Sequence, residues 1–139
     1  MKVLLAIVVA YFLGSIPFSH IFPKFRGKDV RELGTKNVGA TNALVVAGPL
    51  VGALSLLGDM AKGFLAVGLA RVFGLEGWGL AACSLAVVIG HDFSVWLKFR
   101  GGKGIATTGG ILFALDPIFT LLVILLWVLA MILLRYFIP

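Results

Sequence analysis

The sequence predicts an all-α fold, a polytopic membrane helix bundle with a discontinuous or re-entrant element. Three observations carry that expectation. Of 139 residues, 60% are hydrophobic and only 13% charged, about half the charged share of a soluble domain. The mean hydropathy is +1.10. Long apolar runs are separated by connectors in which cations and glycines concentrate. We read residues 1–139 as a single integral membrane domain. The net charge of +6 then reflects topology and ligand chemistry. Nucleic-acid binding is not expected, because no basic face interleaved with aromatics and no recognition motif is present. Cys83 is the single cysteine, so no intrachain disulfide can form.

The first element, Val3 to Phe22, has about the 20 residues a helix needs to cross the hydrocarbon core. A cleaved leader is the competing reading, but the run is long for one and lacks a convincing small-x-small site. Gly14-Ser-Ile-Pro17 within it is either a simple packing kink or a bend that frees carbonyls, which hydrocarbon tolerates only against protein or water. Pro23 to Asn42 is polar and carries Lys24, Arg26, Lys28, Arg31 and Lys36, ending in Gly34-Thr-Lys-Asn-Val-Gly-Ala-Thr-Asn42. Alternating hydroxyl, amide and ammonium groups suit a polyol or phosphate better than a core.

Ala43 to Leu57 is apolar but short for a crossing, and Gly58-Asp-Met-Ala-Lys-Gly63 follows. Asp59 and Lys62 have the i, i+3 spacing of a helical ion pair, and charges at membrane depth are usually functional. Phe64 to Phe73, a turn at Gly74–Gly77 and a span from Trp78 to Leu97 come next, the last interrupted by Gly90-His-Asp92.

The connector Lys98-Phe-Arg-Gly-Gly-Lys-Gly104 opens the run to Gly110. Glycine lets amides turn toward a ligand, and a helix starting near Ile105 would add its positive end to such an anion-binding concavity. Lys103 would add an ammonium. The spacing is not that of a nucleotide P-loop, and a loop that merely fixes orientation is the plainer alternative. Asp116-Pro117 reads as an N-cap and first helical residue for a last span over Ile118 to Leu134, returning to Arg135.

Residues 24–36 and 98–103 hold five and three of the twelve Lys and Arg residues. The positive-inside rule places both in the cytoplasm, so an even number of crossings separates them. Residues 78–97 supply one crossing. Residues 43–73 must then cross a net odd number of times, which we expect from an element broken at Asp59–Lys62.

Several blocks in order resemble the PlsY family of bacterial membrane acyl-phosphate:glycerol-3-phosphate acyltransferases. They are Gly14-Ser-Ile-Pro-Phe18, Asp29-Val-Arg31, Asn37-Val-Gly-Ala-Thr-Asn42, Asp59-Met-Ala-Lys-Gly63, Gly90-His91 and Gly101-Gly-Lys-Gly-Ile-Ala-Thr107. The resemblance implies transfer of a fatty acyl group from acyl phosphate to the primary hydroxyl of glycerol-3-phosphate, giving lysophosphatidic acid. It also implies a multi-pass protein of the bacterial cell membrane, with its active site on the cytoplasmic face and no metal. We expect no cofactor, contact with membrane lipids, and leave a homodimer open.

Lys103 with the amides of Gly101, Gly102 and Gly104 is the first choice for holding phosphate. Thr35, Lys36, Asn37, Thr41 and Asn42 would bind the glycerol part or a second phosphate, with Lys103, Asn37 and Thr35 closest to the chemistry. Asp59, Lys62 and His91 complete the candidates. The H-x-x-x-x-D signature of another acyltransferase superfamily is absent, since Trp96 stands five positions after His91 and Phe25 five after His20. We therefore expect substrate phosphate to take the hydroxyl proton.

Three departures from the family pattern stand out. Thr35-Lys36 replaces a usual Ser-Gly, and Leu44-Val-Val46 stands where an arginine is typical, a charge that Lys36 would replace. Family members also continue beyond the equivalent of Pro139 to a loop bearing a histidine and an asparagine, so residues 1–139 are expected to lack those segments. A small anion transporter or channel with broken helices is the alternative reading.

Overall fold

The computed structural model describes residues 1–133, and every regular element in them is helical. In chain order the α-helices are α1 (Lys2–Ser15), α2 (Phe18–Lys24), α3 (Ala40–Ala47), α4 (Pro49–Val72), α5 (Gly77–Asp92), α6 (Ile105–Leu115) and α7 (Pro117–Leu133). A single 3-10 turn, Val95–Leu97, follows α5. Among the described residues, three stretches are long and apolar enough to cross a membrane: Lys2–Lys24, Pro49–Val72 and Gly77–Leu97.

The core is made of small side chains. Ala6 and Ala10 of α1 pack on Cys83, Ala86 and Val87 of α5, with Ala66, Val67 and Ala70 of α4 closing the cluster. A Cβ at Gly14 would overlap the Val87 carbonyl, and one at Gly90 would overlap that of Tyr11. Between α4 and α6, Gly63 lies under the Thr107 carbonyl and Gly110 under that of Met60. Lipid tails are as apolar as leucine, so membrane helices associate through such close van der Waals contact. The large apolar side chains, among them Leu4, Leu57, Phe64 and Leu85, are exposed on the outer faces. In α7 Thr120 is the one buried residue.

The first span breaks at Ile16–Pro17, where proline has no N–H to give. The carbonyls freed there find protein partners. Ser94 Oγ donates to Ser15 O, and Lys62 Nζ donates to Ile16 O at 2.9 Å. The bend at Gly14–Pro17 is thus a carbonyl-releasing one.

The expected break at Asp59–Lys62 is not there. α4 runs unbroken through it for 24 residues, about 36 Å at helical rise. Its charges are met by side chains and a carbonyl from other elements, so the helix keeps its own ladder. The discontinuity lies earlier, at Gly48 with φ 93°, followed by Pro49 at the first turn of α4. Leu44 of α3 packs so tightly on Gly52 that a Cβ there would overlap it. α3 therefore turns back against the start of α4 as a short re-entrant element.

At the far end, Phe119 N donates to Asp116 Oδ1 at 2.9 Å, the cap the Asp-Pro pair predicts. Leu134 and Arg135, assigned from sequence to the last span and its exit, lie outside the described residues. The crossing count holds: two candidate spans separate the basic connectors, which return to one end. There Arg31, Lys36 and Asn37 face Lys98, Arg100 and Gly101 across a cleft of about 760 Å³.

Candidate active site

The connector 25–39 is wound on two side chains. Asp29, itself buried, accepts from Lys24 Nζ (3.1 Å), from the Arg31 backbone N–H (3.0 Å) and from Arg31 Nε and Nη2 (3.1 and 2.8 Å). The Arg31 guanidinium holds the Asp29 carboxyl well below the usual carboxylate range, and Asp29 in turn raises the Arg31 pKa. Asn42 sits at the centre of the turn. Its Oδ1 accepts from Thr35 N at 2.9 Å, and its Nδ2 donates to the carbonyls of Val30 (2.8 Å), Asn37 (3.0 Å) and Leu33 (3.1 Å). The amide is fully committed to backbone. Asn42 thus shapes the loop instead of offering a hand to a ligand, although it was a candidate ligand on sequence. Around it the chain passes through left-handed φ at Gly34 (61°) and Lys36 (61°).

The second connector is built from backbone. Gly101 N donates to Asp92 O at 2.9 Å and Gly102 N to His91 O at 3.2 Å. These two amides satisfy the last carbonyls of α5, which helix geometry leaves without partners. They are not turned toward a ligand, which corrects the expectation that Gly101 and Gly102 amides hold phosphate. Their glycine identity serves close approach: a Cβ at Gly101 would overlap His91 O, and one at Gly102 would overlap Val38 O and His91 Nε2. Gly104, with φ 70°, starts α6 with no side-chain cap. The first intrahelical bond is Thr108 N to Gly104 O, so the amides preceding Thr108 have no partner within the helix and carry the positive end of its dipole.

These pieces converge on one cavity of about 170 Å³, walled by Asn37, Thr41, Lys103, the α6 N-terminus at Gly104–Ala106, and Asp59 with His91. A neighbouring cavity of about 550 Å³ shares Asn37, Thr41, Lys103 and Ile105 with it and adds Thr35, Lys36 and Asn42. Lys103 and Lys36 thus line one space from the two connectors. Of the sequence candidates, Thr35, Lys36, Asn37, Thr41, Lys103, Gly104, Asp59 and His91 meet here. Lys62 stands one layer behind.

Under the cavity lies a buried charged cluster. Lys62 Nζ is 2.9 Å from Asp59 Oδ1, both side chains at most 1% exposed, so the i, i+3 pair expected from sequence forms. Ser19 Oγ donates to Asp59 Oδ2, and His91 Nδ1 faces Asp59 Oδ1 at 3.6 Å. Sequence reasoning passed over Ser19. Its signal was indirect: an aspartate at membrane depth needs donors, and a broken helix nearby can present one.

A further groove runs along the outer face of α4 and α6, lined by Leu57, Met60, Phe64, Leu65, Gly110 and Phe113.

Comparison with known proteins places this architecture. Residues 4–138 match the glycerol-3-phosphate acyltransferase family model. The chain is 44% identical to a glycerol-3-phosphate acyltransferase of Thermotoga petrophila over 130 residues, 93% of this chain and 66% of that protein. It is also 44% identical to one from Wolbachia sp. subsp. Brugia malayi, over 98% of this chain and 72% of that one. A crystal structure of PlsY, an integral membrane glycerol 3-phosphate acyltransferase in its glycerol 3-phosphate form, superposes with a TM-score of 0.88 at 38% identity, covering 95% of this chain and 66% of that one. The lysophosphatidic acid form gives 0.84 at 36%, covering 94% and 65%. The chain spans about two thirds of the length of the first of these relatives. With a family model matched over nearly all of its length, this multi-pass membrane protein belongs to the glycerol-3-phosphate acyltransferase family.

Proposed function

We propose that this protein transfers a fatty acyl group from acyl phosphate to the primary hydroxyl of glycerol-3-phosphate, giving lysophosphatidic acid. The observation that carries the reading is the convergence of Lys103 and the α6 N-terminus with Asn37 and Thr41 on one cavity. An ammonium and a helix N-terminus attract a phosphoryl group, while amide and hydroxyl groups suit a polyol. The apolar groove between α4 and α6 suits an acyl chain. Related PlsY structures in glycerol 3-phosphate and lysophosphatidic acid forms support the same acceptor and product.

In this reading Lys103 and the first α6 amides hold the donor phosphate. Thr35, Lys36, Asn37 and Thr41 hold glycerol-3-phosphate, with Lys36 opposing Lys103. The acceptor oxygen attacks the acyl carbonyl carbon, the carbon–oxygen bond to phosphate breaks, and phosphate departs with the electron pair. Acyl phosphate is a mixed anhydride, so alignment and charge stabilisation supply much of the rate. The concentration of cations in the two connectors supports a cytoplasmic position for this end. The transporter alternative finds no break at Asp59–Lys62, where α4 is continuous past its charges.

The test is esterification of labelled glycerol-3-phosphate by the purified chain, with long-chain acyl phosphate as donor. Lysophosphatidic acid forms, and Lys103→Ala lowers kcat/KM about 100-fold or more, as loss of a charge-stabilising donor does. A K103A protein with full kcat/KM, or product from acyl-CoA alone, contradicts the assignment.

A further inference from the structure

The cleft between the two connectors has no task in the reaction as described so far. At about 760 Å³ it is larger than the 170 Å³ reaction cavity. Arg31, Lys36, Lys98 and Arg100 line it, against the single carboxylate of Glu32. Arg31 is engaged by Asp29. Among the described residues, Lys36, Lys98 and Arg100 have no carboxylate within ion-pair distance, and all three are exposed. The chain passes through left-handed φ at Lys98 (54°) and Phe99 (62°), a costly path for residues with a Cβ, and Lys98 and Arg100 both reach the cleft. Lys36 and Asn37 line this cleft and the 550 Å³ cavity alike, and Asn37 also walls the reaction cavity. The apolar groove lies elsewhere, on the outer face of α4 and α6.

We infer that this cleft is an outer anion site, the aqueous entry for glycerol-3-phosphate and the exit for released phosphate, with Lys98 and Arg100 as its capture residues. The inference rests on the acyl-transfer reading above. Acceptor and leaving phosphate are small anions without an apolar tail, so both exchange with water, whereas the donor's acyl chain calls for the lipid side. Unpaired cations around a cleft focus their field and raise the local concentration of an anion. The Arg100 guanidinium offers a phosphate two parallel N–H groups, and Lys98 adds a point charge. Exposure keeps the hold weak, because water and salt screen it. A weak hold lets the anion pass on to Lys36, which fronts both spaces. Lys98 and Arg100 touch no reacting atom in this scheme. They set how readily the site fills, not how fast the bond forms.

The test is the salt dependence of kcat/KM for glycerol-3-phosphate in Lys98→Gln/Arg100→Gln. Arg26→Gln/Lys28→Gln is the control of equal charge change, since neither residue lines the cleft. At low salt K98Q/R100Q has a kcat/KM about tenfold below wild type, the low end of the range for electrostatic steering, through a raised KM with kcat close to wild type. Raising the ionic strength from about 0.01 to 1 M shortens the screening length from about 30 to 3 Å. The wild-type value then falls steeply and the K98Q/R100Q value much less. R26Q/K28Q follows wild type, and Lys98→Arg/Arg100→Lys, which keeps both charges, restores the wild-type slope. A K98Q/R100Q protein with wild-type KM and slope overturns the inference and leaves the acyltransferase reading intact, as does a loss in kcat alone. Should the wild type transfer no acyl group, that reading fails instead, and binding decides. Inorganic phosphate titrated into K103A protein in phosphorus-free detergent, followed by ³¹P NMR, then shows weak, salt-sensitive binding that adding K98Q/R100Q abolishes. No binding to K103A, or binding that survives the loss of Lys98 and Arg100, rules the outer site out.

Discussion

The two basic connectors look alike in sequence and are built in opposite ways. Both are rich in glycine and cations, both join membrane helices, and both face one cleft. Residues 25–39 are organised by side chains: Asp29 gathers Lys24 and Arg31, and the Asn42 amide gathers four backbone groups. Residues 98–104 are organised by main chain, with two glycine amides closing the end of α5 and a third glycine starting α6. A glycine-rich basic loop is thus not one device. The first connector is a shaped wall, and the second delivers a cation and a helix N-terminus to a fixed place.

The sharpest way to break this contrast is Asn42→Ala. Four backbone groups lose a buried partner, at about 1–3 kcal/mol for a polar group left unsatisfied. We expect a loss of about 3 kcal/mol or more in stability, read by thermal or chemical unfolding in detergent, with activity abolished. A variant as stable as wild type would show that the loop holds its shape without the clasp. Next is Gly102→Ala, where the new methyl meets the Val38 carbonyl and the His91 ring. Overpacking against backbone costs about 1–3 kcal/mol, and here it pushes the two connectors apart, so the KM for glycerol-3-phosphate rises alongside a lower unfolding midpoint. Unchanged kinetics would remove the close approach from the account.

A smaller effect of opposite sign is expected at Lys36. Its left-handed φ of 61° is uncomfortable for a residue with a Cβ, by about 1–2 kcal/mol. Lys36→Gly therefore stabilises by about 1 kcal/mol while weakening glycerol-3-phosphate binding severalfold, a trade visible by pairing an unfolding curve with a substrate titration. The smallest effect is that of pH on the Asp29 clasp. Its carboxyl is held below its ordinary value, so the clasp contributes fully above the unfolded value near pH 4 and is lost as pH falls from there through the depressed folded value. Lys24 and Arg31 are half exposed, which screens the pair. Proteolysis within 25–39 should be flat from pH 8 to 5 and rise only in more acid solution. A rise near pH 6 would assign the loop to another group.

Local chemistry made much of this legible. The length of the apolar runs gave the first span and the one ending at Leu97, proline the break at Ile16–Pro17, Asp116 the cap of α7, and cation placement the common end of the connectors. What sequence hid is closure over distance. Asn42 reaches back to Val30, and nothing in its composition separates an amide that binds a polyol from one that binds the chain. Gly101 and Gly102 read as anion-binding amides until α5 is seen to need them. The expected break at Asp59–Lys62 failed for a related reason. Charges in an apolar helix signal a need for partners, and Ser19, Ile16 O and His91 meet that need without interrupting α4. Gly48-Pro49, less conspicuous, carries the turn.

The central claim is that the two connectors close on adjacent phosphate-bearing substrates in one shared site. Amide hydrogen exchange of the purified chain, with and without glycerol-3-phosphate and inorganic phosphate, tests it most directly. Slower exchange should appear together at 34–42 and at 104–107, and vanish in K103A. Protection confined to one connector, or none at the start of α6, would contradict the shared cage.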